Sequence, residues 1–368
     1  MGAGRSTWVD AWIQSAALNV TPTSDDVSGK WVTDRFRIIP RSVELSFSSA
    51  SCVWQPNEAE LKLSPTDDRS KQSSMKILVL RGGALGDLIL TLPALAGIRK
   101  GYPNAFIELW GRFPQAELAQ PQYVDRVRDL DRAETAQLFV KQKRPPQIGS
   151  FDLAVSFLSD PDATVAVTLR AAGILRVVSV SPMVQGGQHA SDQFADALDQ
   201  LELPRPGSPV LIQVTQAPVT QRRLAFHIGS GSDKKNWPLT CWSELIRSLA
   251  DDFDEFLLIG GEADTVRLKE FKARYGSLRL RILHNAGLGT LASELAASLV
   301  FIGHDSGVTH LAAAIGRPTI ALFGPTDPQI WRPLGCQVRV VASLDRKMES
   351  IRVQDVERAL ATLLAPSS

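Results

Sequence analysis

Three loops gather the residues whose types and spacing could do chemistry. The first, Arg81-Gly82-Gly83-Ala84-Leu85-Gly86-Asp87, runs out of the apolar stretch 76–81 and into Leu88-Ile89-Leu90-Thr91-Leu92-Pro93. Glycines at a strand-to-helix turn let the backbone bend sharply and approach a ligand closely. The spacing is neither G-x-G-x-x-G nor G-x-x-x-x-G-K, so a dinucleotide fingerprint and a P-loop are both unsupported. Asp87 stands at the mouth of the turn, where the ordinary role of an aspartate is to cap the helix N-terminus. Pro93 fits a first turn better than a helix interior, which predicts a helix that starts late or kinks there.

The second loop is Ile228-Gly229-Ser230-Gly231-Ser232-Asp233-Lys234-Lys235-Asn236-Trp237-Pro238. Its glycine and serine positions offer backbone N–H and hydroxyl donors, and Lys234 and Lys235 add charge, a set that suits a phosphate or diphosphate. The alternative is a solvated polar loop. The third is the most informative: Gly303-His304-Asp305-Ser306-Gly307 ends a strand and opens a helix that carries His310. The first turn of such a helix presents unpaired N–H groups to an anion. Asp305 would repel that anion unless it orients the loop or meets a sugar hydroxyl. A further loop, 322–333, holds Pro325, Pro328 and Pro333 and is stiff enough to form a preformed pocket wall.

These loops need strands and helices to position them, and from Met75 onward the pattern supplies both. Strand candidates are 76–81, 105–110, 126–130, 152–157 and 175–180, with helical stretches near 86–100, 114–120, 133–142, 161–172 and 190–201. The Pro-rich 204–209 and the polar 215–221 place an interdomain connection within 204–223. Alternation then restarts, with strands at 224–228, 255–260, 279–283, 299–303, 318–323 and 337–342. Helices fall near 240–250, 263–275, 290–298 and 307–316, and a last one spans about 351–364. Such alternation predicts an α/β fold of two doubly wound parallel-sheet domains, with a cleft between them as the default ligand site. The expected boundaries are 75–210, 211–345 and a closing segment 346–368. Residues 1–74, rich in Ser, Thr and Pro, read as an N-terminal extension or a misplaced start ahead of Met75.

Composition narrows the classes. A formal net charge of +1 provides no general basic field for nucleic acid. The local runs Lys141-Gln142-Lys143-Arg144 and Arg222-Arg223 read as solvated faces or as contacts to an anionic surface. Three scattered cysteines and five histidines show no metal-ligand spacing, which argues for a reducing compartment. No apolar run is long enough to span a membrane and no signal peptide is visible, so the expectation is a cytoplasmic protein that can touch a membrane from that side.

The segments 81–95, 233–238, 302–318 and 322–333 together resemble glycosyltransferase family 9, whose best-known members are ADP-heptose:lipopolysaccharide heptosyltransferases. The similarity is ordered and covers about 75–342. It implies a GT-B architecture of two Rossmann-like domains, with the donor bound mainly by the C-terminal one and the acceptor by the N-terminal one. It also implies inversion at the anomeric centre without a metal or other cofactor, the co-substrate being a nucleotide sugar, most commonly ADP-heptose. On this resemblance Asp87 is the general base, with Gly82, Gly83 and Gly86 on the acceptor-side loop. Lys235 meets the donor diphosphate, as does Ser230, although Gly231 stands where a second hydroxyl would be welcome. Glu262 reaches the nucleoside ribose; Asp305, Ser306 and Gly307 hold the donor sugar and phosphates, and His310 follows on the next helix, donor-binding or simply packed. Trp237 and Trp331 read as core or loop anchors rather than adenine platforms.

The implied partners are the nucleotide sugar and a lipopolysaccharide-core or other glycan acceptor at the inner membrane's cytoplasmic face, with no nucleic acid; oligomeric state is not legible. A GT-B sugar-nucleotide epimerase or hydrolase, or a non-catalytic nucleotide-sugar-binding member, are the alternatives. The first of these would lack the Gly86-Asp87 motif. Acceptor loops such as 111–122 and 182–191, with Gly186, Gly187 and His189, carry no readable motif.

Overall fold

A computed structural model describes residues 75–140, 146–207, 209–214, 219, 221–276 and 280–365; the 1–74 segment and the basic run at 141–144 lie outside the described residues. The first half runs β1 Lys76–Arg81, α1 Leu85–Gly101, β2 Phe106–Gly111, β3 Arg126–Asp129, β4 Leu153–Ser156, α2 Thr164–Ala171, β5 Arg176–Ser179 and α3 Ala190–Gln200. The second runs β6 Arg223–His227, α4 Leu239–Ser248, β7 Glu255–Gly260, α5 Thr265–Tyr275, β8 Leu280–His284 and α6 Leu288–Ala296. It continues with β9 Val300–His304, α7 Gly307–Ala314, β10 Thr319–Phe323, α8 Pro328–Trp331, β11 Val338–Ala342 and α9 Val353–Leu364.

Both sheets are parallel and are wound the same way. The first has the order β3-β2-β1-β4-β5 and the second, read from its other edge, β8-β7-β6-β9-β10-β11. The direction of winding reverses between β1 and β4 and again between β6 and β9. Ligands of open α/β sheets bind beyond the strand C-termini at such reversals. The loop carrying Asp87 follows β1, the lysine loop follows β6 and the Asp305 loop follows β9, so all three lie at switch points. The central strands are apolar along nearly their whole length, as burial on both faces requires: Ile77, Leu78, Val79 and Leu80 are fully buried, as are Val300, Phe301 and Ile302.

The helix after β1 begins at Leu85 and continues through Pro93 to Gly101, against the expectation of a late start. Packing overrides propensity here. Apolar residues on several sides of α1, including Leu88, Leu90, Leu92, Leu95 and Ile98, are buried. Among their described residues, the stretches 114–120 and 133–142 hold only short 3-10 turns, Gln115–Ala119 and Thr135–Phe139. Pro114 and Pro121 bound the first, and in the second the Thr135 hydroxyl bonds back to the Arg132 carbonyl and tightens the turn. Arg222 and Arg223 are not a free basic face: Arg222 pairs with Asp254, and Arg223 with Glu255 and Glu294.

The connection after α3 carries no helix or strand among its described residues and is tied to both halves. The Tyr123 hydroxyl donates to the Leu211 carbonyl at 2.5 Å, and the Ile212 amide to the Ala314 carbonyl at 2.7 Å. Helix α9 joins the second sheet's core, where Val353, Val356 and Leu360 cluster with Trp237 and Trp242. Trp237 is fully buried, edge-on to Trp242, with its indole N–H on the Ile351 carbonyl, so it is a core anchor.

Candidate active site

Asp87 occupies the third position of α1, and its Oδ2 accepts the Ala84 amide at 2.8 Å. It therefore closes the helix start from inside, satisfying one of the N-terminal N–H groups. The other carboxylate oxygen lies 3.5 Å from Arg81, and the Asp87 side chain keeps about a third of its surface exposed. Arg81 is almost wholly buried. It donates to the Asp87 carbonyl at 3.1 Å and the Phe157 carbonyl at 3.3 Å, and its guanidinium lies over the Phe194 ring. Burial pushes its pKa down to about 10, with Asp87 opposing that shift. Gly83 holds a φ of +94°, and a Cβ there would lie 2.6 Å from the Asp87 carboxylate. Only glycine lets the chain turn this tightly beneath the acid.

The loops after β6 and β9 are clamped together by His304. Its Nε2 accepts the Trp237 amide and its Nδ1–H donates to the Gly229 carbonyl, both at 2.9 Å. Burial pushes its pKa down to about 3, so the ring is neutral, as this donor–acceptor pattern demands. One imidazole thus fixes both ends of the 229–237 loop against the end of β9. Across the loop mouth the Lys235 Nζ lies 2.7 Å from Asp305 Oδ2. Burial raises the Asp305 pKa, but His310, Lys235 and Thr326 outweigh it and hold the carboxyl below its ordinary value. This answers the electrostatic objection to an aspartate beside an anion site: its charge is matched by a lysine.

His310 is buried, 3.9 Å from Asp305, and its Nδ1 has no hydrogen-bond partner among the described residues. The Ser230 hydroxyl donates to the Ser232 carbonyl at 2.7 Å and shapes its own turn. Glu262 is exposed at the end of β7, while its neighbour Asp264 is buried. His189, grouped above with a possible acceptor loop, caps α3 through Nδ1 and donates from Nε2 to the Arg332 carbonyl at 2.9 Å. It staples the first half to the second.

The loops after β1 and β9 meet at two glycines. A Cβ on Gly307 would lie 3.2 Å from the Gly86 amide nitrogen, and one on Gly86 would lie 3.3 Å from the His310 ring. The N-termini of α1 and α7 therefore abut, bringing Asp87 and the Asp305–Gly307 loop to one place. Ser230 follows β6 and Glu262 follows β7 of the second sheet. Such a site can set a carboxylate beside a nucleophilic hydroxyl while a lysine and helix N–H groups receive an anionic leaving group. Among the described residues no three His, Cys, Asp or Glu side chains group as metal ligands.

Three residues escaped sequence reasoning: Arg81, His304 and His227. Each is a polar side chain at the C-terminal end of an otherwise apolar strand, and that placement was the available signal. His227 pairs with Asp264 at 2.9 Å, and its other ring nitrogen lies 3.5 Å from the Ser306 hydroxyl.

Two Rossmann-like units whose switch-point loops face each other form the GT-B architecture. Residues 187–361 match the sequence profile of glycosyltransferase family 9 (heptosyltransferase). The chain is 24% identical over 324 residues to lipopolysaccharide heptosyltransferase 1 of Escherichia coli (strain K12), covering 78% of this chain and 100% of that protein. The solved structure of E. coli heptosyltransferase WaaC with ADP superposes with a TM-score of 0.64 at 20% identity, covering 78% of this chain and all of that one. A glycosyl transferase family 9 structure from Veillonella parvula DSM 2008 gives 0.67 at 19% identity, covering 80% and 98%. Over residues 187–361 the chain thus matches glycosyltransferase family 9, and the protein is a glycosyltransferase.

Proposed function

We propose that the protein transfers heptose from ADP-heptose to a lipopolysaccharide-core or related glycan acceptor, by a single displacement that inverts the anomeric centre. The observation that carries the reading is the abutment of the N-termini of α1 and α7, which brings the turn that carries Asp87 against the Asp305–Gly307 loop, where Lys235 pairs with Asp305. The names of the relatives, lipopolysaccharide heptosyltransferase 1 and a heptosyltransferase with ADP, support the donor and the acceptor class.

An acceptor hydroxyl attacks the anomeric carbon as the bond to the diphosphate oxygen breaks, and its proton passes to an Asp87 carboxylate oxygen. A carboxylate is a weak base toward an alcohol, so proton transfer lags bond cleavage and follows the acidification of the attacking oxygen. Charge growing on the departing diphosphate is met by Lys235 and the N–H groups opening α7, with Ser306 beside them. Ser230 shapes the loop round the phosphates, Glu262 receives the ribose, and His310 backs Asp305. Gly82, Gly83 and Gly86 let the acceptor approach Asp87. This division of labour requires no metal. The enzyme works in the cytoplasm at the inner-membrane face, where its acceptor is anchored.

Incubation with ADP-heptose and a lipid-A–core acceptor tests the reading. Transfer with inversion is expected; ADP-heptose breakdown without acceptor would instead place the protein with the epimerases and hydrolases.

A further inference from the structure

The hydrogen bonds behind Ser306 can be assigned one proton at a time. Asp264 accepts the Gly261 amide at 2.8 Å and lies 2.9 Å from His227 Nε2. Burial pushes the Asp264 pKa up, but His227, Gly261 and Arg267 outweigh it and leave the carboxyl below its ordinary value. Asp264 is thus an anion, and His227 Nε2 carries a hydrogen. At the far end, Thr309 donates its only hydroxyl hydrogen to the His304 carbonyl, so toward Ser306, 3.2 Å away, it can only accept.

Ser306 has one hydrogen and two claimants, Thr309 and His227 Nδ1. If His227 is neutral, the nearer Thr309 takes it and a buried ring nitrogen is left without a partner. If His227 is a cation, every site is filled: Nδ1–H donates to Ser306, Ser306 to Thr309, and Thr309 to the His304 carbonyl. An anion at the head of α7 shifts the balance the same way. Ser306 then donates outward to the anion, and its oxygen accepts from Nδ1–H.

We propose that Asp264, His227 and Ser306 form a proton-coupled anion receptor: a nucleoside diphosphate binding at the head of α7 draws one proton from solvent onto His227 Nδ1. The buried imidazolium, held by Asp264, then stands one hydroxyl behind the diphosphate and supplies positive charge there. This rests on the reading of the Asp305–Gly307 loop as the donor-phosphate site. His227 is a positioning residue, since it acts through Ser306. The groups round it are Asp264 at the head of α5, Ser306 and Thr309 on α7, the neutral His304 at the end of β9, and Arg267 on α5. Asp264 favours the cation and Arg267 opposes it; Lys235 and Asp305 on the adjoining loops cancel each other.

Calorimetry of ADP binding at pH 8, in buffers of different ionisation enthalpy, counts the protons taken up. Wild type should take up about one proton per ADP, and His227→Gln about none, with affinity about tenfold weaker. Ser306→Ala, which leaves the buried His227–Asp264 pair in place, should also lose the uptake and guards against misfolding of the first variant. ADP binding without proton uptake in wild type, or equal uptake in both variants, overturns the coupling while leaving the donor site standing. No ADP binding to folded wild type removes the donor site and the coupling together.

Discussion

Lys235 Nζ sits 2.7 Å from Asp305 Oδ2, so the cation assigned to the donor diphosphate rests on an acid of the same pocket before any donor arrives. The pair resolves a conflict that sequence leaves open, an aspartate at a helix N-terminus meant for phosphate. It also holds the lysine extended toward the α7 N-terminus. Lys235→Met should keep the fold, because the side chain is partly exposed. It should lower kcat by about 10²-fold, in the range found when one preorganised transition-state donor is removed. Steady-state kinetics check this; a rise in KM at unchanged kcat would restrict Lys235 to ground-state binding.

Stability should fall as the solution is acidified from neutrality, beginning well above the carboxylate range. His304 has its pKa pushed from 6.5 down to about 3, so the unfolded chain binds a proton that the native state refuses. With more protons bound in the unfolded state, stability rises with pH. It is fully present above about 6.5 and is lost progressively toward 3. Asp264 and Asp305, also depressed, extend the loss below pH 4. Thermal denaturation between pH 8 and 4 should show Tm declining from about 6.5 downward; a flat Tm to pH 5 would contradict the neutral clamp.

Two glycines of one loop should answer substitution oppositely. A Cβ on Gly229 would fall 1.6 Å from Asp264 Oδ1, whereas one on Gly231 meets nothing within 4 Å. Gly229→Ala should destabilise by about 2 kcal/mol, as overpacking does. Gly231→Ser should leave Tm nearly unchanged and tighten ADP binding by up to about fivefold, the worth of one added hydrogen bond. Weaker ADP binding by a stable Gly231→Ser protein would argue that the loop does not face phosphate.

Lys235 and the α7 N-terminus carry the leaving-group charge in this account. Transfer measured after exhaustive chelation, with and without added Mg²⁺, should therefore proceed at one rate. Loss on chelation and recovery with a particular ion would require metal ligands that the described site does not provide.

Sequence patterning revealed most of the fold because its signals are local. Buried parallel strands such as Lys76–Arg81 and Val300–His304 are continuous apolar runs, and loops rich in Gly and Pro interrupt them. It placed α1 near 86–100, but the late start that Pro93 suggested does not occur, because tertiary burial of Leu88, Leu92 and Leu95 carries the helix through. It singled out Asp87, Lys235 and the Asp305–Gly307 loop by motif, but their pairings are long-range. Nothing local joins Lys235 to Asp305, His304 to Gly229 and Trp237, or His227 to Asp264. The buried histidines and Arg81 were invisible because a polar residue ending a strand looks the same whether it faces water or clamps two loops.

The central claim is that Asp87 takes the acceptor proton while the donor is held across the α1–α7 contact. Asp87→Asn is the direct test, because the amide oxygen can still accept the Ala84 N–H and keep the helix start. Single-turnover transfer from ADP-heptose should fall by at least about a hundredfold, with ADP affinity within about twofold of wild type. Transfer by the asparagine variant at close to the wild-type rate would contradict the account.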